Sequence, residues 1–264
     1  MFKNKLLATT LVVAALAVTG LAGCGKSDSN KVKVGFSNEA YAPFTSTDAS
    51  GKWVGWEIEI GQAICAEAKL DCELAPVAWD GIIESLKTKK IDLIIGSMNS
   101  TPERAKEIDF SDKYYENSAY LVAPKKLNIT SKTADLAGKT IGVQISTTFS
   151  AYAETHYKAN STLKIYQTQD EELQDLIAGR IDAVVSDAVS LGDWLKGAGK
   201  DCCEFKGQVE PDPATLGTGI SVGMRKGDTE MMTKINNAIK AIRDNGTYKT
   251  ISDKYSFGFD IYGS

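Results

Sequence analysis

Two stretches of the chain follow one pattern but end in different polar side chains. SLKTKKIDLIIGS ends at Ser97, and DLIAGRIDAVVSD, ninety residues later, ends at Asp187. Each contains an apolar run without alternation, which is typical of a strand covered on both faces. Ligands of open parallel sheets bind outside the carboxyl ends of the strands. We therefore expect Ser97 and Asp187 to form two halves of one site, with a hydroxyl on one wall and an anion on the other.

Arg104 adds a cation to this set, in the segment GSMNSTPER. Thr101 and Pro102 predict a helix start, with the threonine as N-cap and the proline at the first helical position. Arg104 then falls in the first turn, where the helix dipole disfavours a cation. A functional reason for it is a guanidinium that binds a carboxylate in bidentate fashion. The alternative is a surface arginine paired with Glu103 or Glu107.

Aromatic and hydroxyl side chains also fall at strand ends and helix starts. Tyr41 and Phe44 of YAPF follow the first predicted strand, and Trp79 precedes the second predicted helix. Their rings could enclose an apolar stem or hold a cation, or they could simply pack the domain edge. ISTT (145–148) opens a helix, so its amides and hydroxyls could receive an anion. Capping alone would also explain these hydroxyl residues.

Signals for catalysis, metals and nucleic acid are weak in this sequence. His156 is the only histidine, so no Ser-His-Asp or Cys-His arrangement can be assembled, and a P-loop and a dinucleotide fingerprint are absent. We therefore predict no cofactor and no metal. The net charge of −4 without a basic stripe argues against a nucleic acid partner. An acid–base enzyme that uses Asp187 or Glu39 is the remaining catalytic alternative.

The elements that position these residues predict an α/β protein of two Rossmann-like lobes. From residue 31 short apolar strands alternate with helical stretches, and the same order restarts near residue 139. Extended segments at 114–126 and 218–228 can run from one lobe to the other, and a final helix then returns to the first lobe. The predicted boundaries are 31–116 and 221–264 for lobe 1, 120–215 for lobe 2, and 117–119 and 216–220 for the hinge crossings.

The first 30 residues predict export and anchoring. A short basic start precedes an apolar run that is too short for a comfortable membrane span, so 1–23 is interpreted as a signal peptide. LAGC resembles the lipobox of bacterial lipoproteins, which implies cleavage before Cys24 and a lipid on its sulfur; an ordinary cleaved signal is the alternative. Residues 24–30 form the predicted tether. We expect a lipid-anchored protein in the periplasm or on the outer face of the cytoplasmic membrane.

Four further cysteines follow. Cys65 and Cys72 lie seven residues apart, across a helix end and the next strand, and we expect an exported protein to join them in a disulfide. For the adjacent Cys202 and Cys203, a vicinal disulfide, free thiols and other pairings stay open.

Several motifs together resemble one family. YAPF, GKWVGWEIEI, WDGIIESLKTKKID, GSMNSTPER and IDFSDKYY resemble the periplasmic solute-binding proteins of polar amino acid ABC transporters, and NGTYKTISDKYSFGFDIYG resembles their ending. The motifs are most similar to those of lysine/arginine/ornithine and histidine binders, and the match covers 31–264. The resemblance implies the type II periplasmic binding protein fold. It also implies a monomeric, non-enzymatic receptor that captures an L-amino acid between its lobes and delivers it to a membrane permease.

The resemblance assigns both charges of an amino acid zwitterion. Arg104 matches the family arginine that clamps the ligand α-carboxylate, with help from the amides around Thr147 and Thr148. Asp187 matches the aspartate that takes the α-ammonium, and Ser97 assists it.

The side-chain end of the site matches the family less closely. Tyr41 and Trp79 match aromatic positions that flank the ligand side chain. Basic amino acid binders carry an aspartate where this chain has Asn38, and Glu39 next to it is a possible substitute. The other departures are Asn99 for a serine, Phe149 for a glutamine, and Gln144 at a position that is often apolar.

A long polar ligand side chain, basic rather than neutral, is the preferred interpretation, and Asn38, Asn99 and Gln144 are counted among the predicted ligand contacts. The alternatives are a binder of glutamine, another neutral amino acid or an opine, a same-fold enzyme such as a cyclohexadienyl dehydratase, and a sensor input domain.

Overall fold

The computed structural model describes residues 31–259 and 261. The predicted signal peptide, the tether and Cys24 lie outside the described residues. None of the helices within 31–259 has the length and apolar character needed to cross a membrane.

Strands and helices alternate along most of the described chain. The strands are β1 (Val32–Ser37), β2 (Ser46–Thr47), β3 (Trp53–Val54), β4 (Cys72–Val77), β5 (Leu93–Ile94), β6 (Asp109–Tyr115), β7 (Ala119–Pro124), β8 (Thr140–Gln144), β9 (Thr162–Tyr166), β10 (Ala183–Asp187), β11 (Cys203–Gln208) and β12 (Ile220–Met224). The helices are α1 (Trp56–Glu67), α2 (Ile82–Lys87), α3 (Arg104–Glu107), α4 (Thr148–His156), α5 (Gln169–Ile177), α6 (Ala188–Lys196), α7 (Pro213–Leu216), α8 (Thr229–Asp244) and α9 (Thr247–Ser252), with 3-10 turns at Trp79–Gly81 and Thr133–Leu136.

The first sheet combines the start and the end of the chain. Its strand order is β4-β1-β5-β12-β6, with β1 parallel to β4 and β5, and β12 antiparallel to β5 and β6. Helices α1 and α8 pack together and bury apolar residues at helical spacing, including Ile60 and Ile64 of α1 and Ile235 and Ile239 of α8. The final helix therefore returns to the first sheet, as the sequence predicts.

The second sheet is built from one continuous stretch of chain. Its order is β11-β7-β10-β8-β9, with β8 parallel to β9 and β10, and β7 antiparallel to β10 and β11. Helix α5 begins with a complete capping box between Thr168 and Glu171 and ends before Gly179, whose φ of 70° stops the helix as predicted. The predicted class, two α/β lobes, is confirmed.

The chain passes between the two sheets twice, at 116–118 and at 209–219. The second passage includes the short helix α7, which the sequence analysis did not predict. Lobe and hinge boundaries at single-residue precision remain predictions.

Two local predictions differ from the structure. Regular pairing in β5 is limited to Leu93–Ile94, although Ile91 and Ile95 are also buried, because the chain turns toward the cleft immediately after this strand. Helix α3 begins at Arg104 rather than Pro102, but the Thr101 hydroxyl still accepts a hydrogen bond from the Arg104 amide at 3.1 Å.

The predicted disulfide between Cys65 and Cys72 is present and links the end of α1 to β4. Cys202 and Cys203, whose state the sequence left open, form a vicinal disulfide at the start of β11.

Candidate functional site

A cleft of about 610 Å³, its open mouth included, lies between the two sheets. Both lobes contribute to its walls, since it reaches from the end of β1 in the first lobe to the start of α4 and α5 in the second. Eight of the ten predicted ligand contacts line it: Tyr41, Trp79, Ser97, Asn99, Arg104, Gln144, Thr147 and Thr148. The other two, Asn38 and Asp187, lie outside this lining, and whether any of the ten binds a ligand remains a prediction.

Arg104 is held by both walls of the cleft. Its Nη1 donates to the Asn99 carbonyl at 3.0 Å, and its Nη2 donates to the Ser146 carbonyl at 2.9 Å. The guanidinium also lies 5.6 Å from the centroid of the Trp79 ring. Burial lowers the pKa of Arg104 to about 10, so it stays cationic at neutral pH. These carbonyls use two of its five N–H groups, which leaves donors for a carboxylate.

The start of α4 faces Arg104 and is capped by its own side chains. Thr147 Oγ1 accepts from the Ser150 amide at 3.0 Å and donates to the Gln144 carbonyl at 2.7 Å. Capping therefore accounts for the Thr147 hydroxyl. Thr148 Oγ1 accepts from Asn99 Nδ2 at 3.4 Å, which joins the two lobes across the cleft. Gln144 is turned toward the Gln167 carbonyl, to which its Nε2 donates at 3.1 Å.

Asn99 and Phe149 divide the cleft from a second cavity. Both line the cleft and also a space of about 670 Å³ behind it, next to the second passage between the sheets. Their side chains, which stand where the family has a serine and a glutamine, close the rear of the cleft.

Asp187 lies just beneath the cleft wall rather than in its lining. It is 1% exposed, and its Oδ1 caps α6 by accepting from the amides of Val189 at 2.8 Å and Ser190 at 3.1 Å. This cap draws the side chain toward the helix. Burial raises the pKa of Asp187 to about 6. Tyr41 is close enough for Asp187 to raise the tyrosine pKa further, after the larger effect of burial.

At the side-chain end, Glu39 occupies the position expected for Asn38. Asn38 is exposed, and its amide extends the β1–β4 ladder by donating to the Val77 carbonyl at 3.0 Å. Ser37 and Glu39 both line the cleft, whereas Asn38 does not. Glu39 Oε2 accepts from Ser37 Oγ at 3.1 Å. Asn38 as a ligand contact stays a prediction, and Glu39 is the neighbouring side chain that lines the cleft.

Glu57 is a cleft residue that the sequence analysis missed. It is 1% exposed, lines the cleft, and accepts from Ser97 and Tyr114. The available signal was its place in WEIEIGQAIC, where it is followed at helical spacing by buried Ile60, Gly61 and Ile64. An acidic residue on a buried helix face needs a polar partner.

Gln169 is a second missed lining residue. Its Oε1 accepts from Ser186 Oγ, and its Nε2 donates to Ser190 Oγ at 2.8 Å. This chain of bonds connects the start of α5 to the end of β10 and the start of α6, next to Asp187.

Two buried polar atoms of the cleft have no hydrogen-bond partner among the described residues, Trp79 Nε1 and Asn99 Oδ1. One is a donor and the other an acceptor, and such atoms in a native interior call for an explanation. Both lie in the cleft lining. The cleft therefore offers unused hydrogen-bonding capacity of both kinds.

The charges of the cleft do not balance. The ionisable acids and bases in its described lining are Glu39, Glu57 and Arg104, and Asp187 lies directly behind. Three carboxyl groups thus accompany one guanidinium, and burial raises the pKa of two of them, Glu57 and Asp187. Within residues 31–259 and 261, acidic, histidine and cysteine side chains form no group that could hold a metal ion.

Comparison with known proteins agrees with this architecture. Residues 32–259 match the family model described as bacterial extracellular solute-binding proteins, family 3. The chain is 40% identical to the L-arginine-binding protein of Pseudomonas aeruginosa, over 96% of this chain and 98% of that protein. It is 37% identical to the lysine/arginine/ornithine-binding periplasmic protein of Escherichia coli, over 99% of both.

Among solved structures, an ancestral arginine-binding protein bound to arginine is similar, with a TM-score of 0.79 and 32% identity, over 86% of this chain and 98% of that one.

Proposed function

Because the chain belongs to family 3 of the bacterial extracellular solute-binding proteins, we propose that it captures a basic L-amino acid between its lobes and presents it to the permease of an ABC importer. Arginine is the first choice. The observation that carries this choice is the charge of the cleft, where Glu39, Glu57 and the nearby Asp187 outnumber Arg104. A neutral zwitterion would leave that excess in place, whereas a third, cationic group on the ligand reduces it.

The backbone charges of the ligand are assigned to opposite sides of the cleft. Arg104 takes the α-carboxylate with its remaining N–H groups, next to the amides of Thr147 and Thr148 at the start of α4. Asp187 and Ser97 take the α-ammonium. This arrangement pairs each ligand charge with a charge of opposite sign, which a buried ion requires.

The ligand side chain is assigned to the aromatic end of the cleft. Tyr41 and Trp79 flank its apolar stem, and Glu39 receives its terminal cation. The relatives support this assignment, since the Pseudomonas aeruginosa protein binds L-arginine and the Escherichia coli protein binds lysine, arginine and ornithine. Ligand binding would close lobe 1 (31–116 and 221–264) onto lobe 2 (120–215) about the crossings at 117–119 and 216–220 and form the surface that the permease contacts.

Export and lipid attachment complete the proposal. The signal peptide (1–23), the lipobox ending at Cys24 and the tether (24–30) would place a monomeric receptor outside the cytoplasmic membrane, without enzymatic turnover of its ligand. The Cys65–Cys72 disulfide supports an oxidising compartment.

Isothermal titration of the ligand-stripped, refolded protein tests the function. We expect tight one-to-one binding of L-arginine, with lysine and ornithine following and glutamine much weaker. Glu39→Gln should reduce this preference for arginine over glutamine, while Asn38→Ala, at the exposed neighbouring position, should not. Tight binding of glutamine alone would contradict the basic ligand, and conversion of a prephenate-like acid to product would contradict a purely binding role.

A further inference from the structure

Ser97 is held by Glu57 in an unusual backbone conformation. The φ of Ser97 is +54°, a left-handed value that non-glycine residues rarely adopt. Its amide donates to Glu57 Oε1 at 2.7 Å, and its hydroxyl donates to Glu57 Oε2 at 2.9 Å. Glu57 lies in the first turn of α1, forty residues earlier, so one carboxylate fixes both the backbone and the side chain of the residue that follows β5.

Glu57 accepts a third hydrogen bond, in addition to the two from Ser97. Tyr114 on β6 donates its hydroxyl to Glu57 Oε1, the same oxygen that the Ser97 amide contacts. Glu57 thus receives three neutral donors from two elements of the first lobe. These bonds favour the ionised form of Glu57, but burial is the larger effect and raises the pKa of Glu57 above its ordinary value.

A serine hydroxyl has one proton and two lone pairs. Because Ser97 gives its proton to Glu57, its oxygen can only accept hydrogen bonds from the cleft, which it lines. An acceptor suits an ammonium group, and it repels the oxygens of a carboxylate. The wall at Ser97 therefore has a fixed hydrogen-bond polarity.

We propose that Glu57 is a positioning residue that sets the hydrogen-bond polarity of Ser97, so that this wall selects the α-ammonium of the ligand and orients the amino acid in the cleft. The inference rests on the proposed binding of an amino acid zwitterion. It adds that the orientation is controlled by a buried glutamate that need not touch the ligand.

Glu57→Gln separates this role from a general structural one. The glutamine Oε1 can keep both bonds made to Glu57 Oε1, from the Ser97 amide and from Tyr114. Its Nε2, in place of Oε2, donates to the Ser97 hydroxyl instead of accepting from it. The Ser97 proton is then free to point into the cleft, and the polarity of one hydrogen bond is reversed.

The experiment compares L-arginine with 5-guanidinopentanoate, which is arginine without its α-ammonium, by isothermal titration. We expect Glu57→Gln to weaken L-arginine binding about tenfold or more, the size of one hydrogen bond to a charged group. Binding of 5-guanidinopentanoate should weaken much less than binding of L-arginine, since that ligand makes no ammonium contact and loses only the attraction between its guanidinium and the Glu57 charge. The matched control is Glu59→Gln, two residues along α1, whose carboxylate accepts from Tyr255 at 2.7 Å outside the cleft. It should change neither affinity.

Equal loss for both ligands, or no loss for L-arginine, would overturn the role of Glu57. Ser97→Ala provides a second measurement if Glu57→Gln fails to fold, because it removes the acceptor and leaves Glu57 in place. It should reproduce the selective loss, and an equal loss for both ligands would count against the inference. Failure of the proposed function is distinct, since the wild type itself would then bind no L-arginine.

Discussion

The guanidinium of Arg104 reaches carbonyl oxygens on both walls of the cleft, Asn99 on one side and Ser146 on the other. These two contacts orient the guanidinium within the cleft. The same contacts make it a link between the lobes.

Arg104→Ala should weaken L-arginine binding by on the order of 100-fold or more, because two charge-assisted bonds to the α-carboxylate are lost. The affinity of Arg104→Lys for L-arginine should lie between those of the wild type and Arg104→Ala, because lysine keeps the charge without the bidentate geometry. Titration calorimetry measures both, and thermal melting should show a folded protein.

Arg180→Ala is the control, because Arg180 is exposed on lobe 2 and pairs with Asp175. It should bind L-arginine normally. Normal affinity in a folded Arg104→Ala variant would remove Arg104 from the site.

Asp187 should make binding dependent on pH. Burial raises its pKa to about 6, and only the ionised form pairs with an ammonium, so affinity should be constant above that value and fall as the pH drops through it. Well below the pKa the loss approaches about tenfold per pH unit, as for any single titrating group. Binding near this pH should also release protons, which titration in buffers of different ionisation enthalpy detects.

Asp187→Asn should weaken L-arginine binding and remove the loss of affinity at low pH. His156→Asn, a change outside the cleft lining, is the control and should retain the dependence of affinity on pH. A pH profile unchanged in Asp187→Asn would assign the titration to another group.

For single residues, the sequence indicates which side chains can line a cleft but not the direction in which each side chain points. Residue type and place along the chain pointed to Ser97, Arg104 and Trp79, which all line the cleft, although a surface position for Arg104 and simple packing for Trp79 stayed open in the sequence. The choice between Asn38 and Glu39 depends on the direction of each side chain after β1 ends, which the sequence does not define.

At the scale of elements, helix α5 contains a side chain that contradicts its apolar surroundings. Glu172 is fully buried, and both of its carboxylate oxygens have no hydrogen-bond partner among the described residues. Burial raises its pKa well above the ordinary 4.5. Its neighbours on the buried face of α5 include Leu173 and Leu176.

Glu172→Met should stabilise the protein at neutral pH by on the order of 1–3 kcal/mol, because an unpaired buried polar group is replaced by an apolar one. The folded-state pKa lies above the unfolded value, so the wild type loses stability as the pH rises from about 4.5 toward the folded pKa. The stabilisation by Glu172→Met should therefore become smaller as the pH falls below the folded-state pKa of Glu172. Denaturant unfolding at several pH values measures it.

Gln174→Met on the exposed face of α5 is the matched control and should have little effect. Destabilisation by Glu172→Met would mean that the carboxyl group has a stabilising partner.

Element types were predicted more reliably than element ends. The 3.6-residue spacing of Ile60, Ile64, Ile235 and Ile239 identified α1 and α8 because packing follows the same period. The limits of β5 and α3 depend on the turn that leads to the cleft, where Ser97 takes a left-handed conformation that no local pattern signals.

For the whole molecule, the second passage between the sheets packs directly against the loop that leads to Arg104. The Ser100 amide donates to the Gly219 carbonyl at 3.0 Å, and the Thr218 amide donates to the Ser100 carbonyl at 3.3 Å. Gly217 has a φ of +81°, and a Cβ added there would collide with the Ser100 carbonyl oxygen.

The ψ of Gly217 is −169°, which with its positive φ is a conformation essentially restricted to glycine. Gly217→Ala should therefore destabilise the fold by more than the roughly 1–3 kcal/mol of such backbone strain, because the collision adds to it. It should also weaken L-arginine binding by displacing the loop before Arg104. Denaturant unfolding and titration calorimetry measure the two effects.

Gly227→Ala is the control, because Gly227 has a similar φ of +78° with open space around its would-be Cβ. Gly227→Ala should lower stability only by the cost of placing alanine at a positive φ, without a collision. Equal effects at the two glycines would mean that the passage tolerates displacement.

The position of β12 between β5 and β6 in the first sheet has a consequence for the order in which the molecule is completed. An exported chain that emerges from its N-terminus can assemble the second sheet once residue 208 is available, since all of its strands lie between 119 and 208. The first sheet must wait for β12 at 220–224, because without it β6 has no neighbour in the strand order. In a chain that emerges from its N-terminus, the first sheet is therefore begun first and completed last, after residue 224.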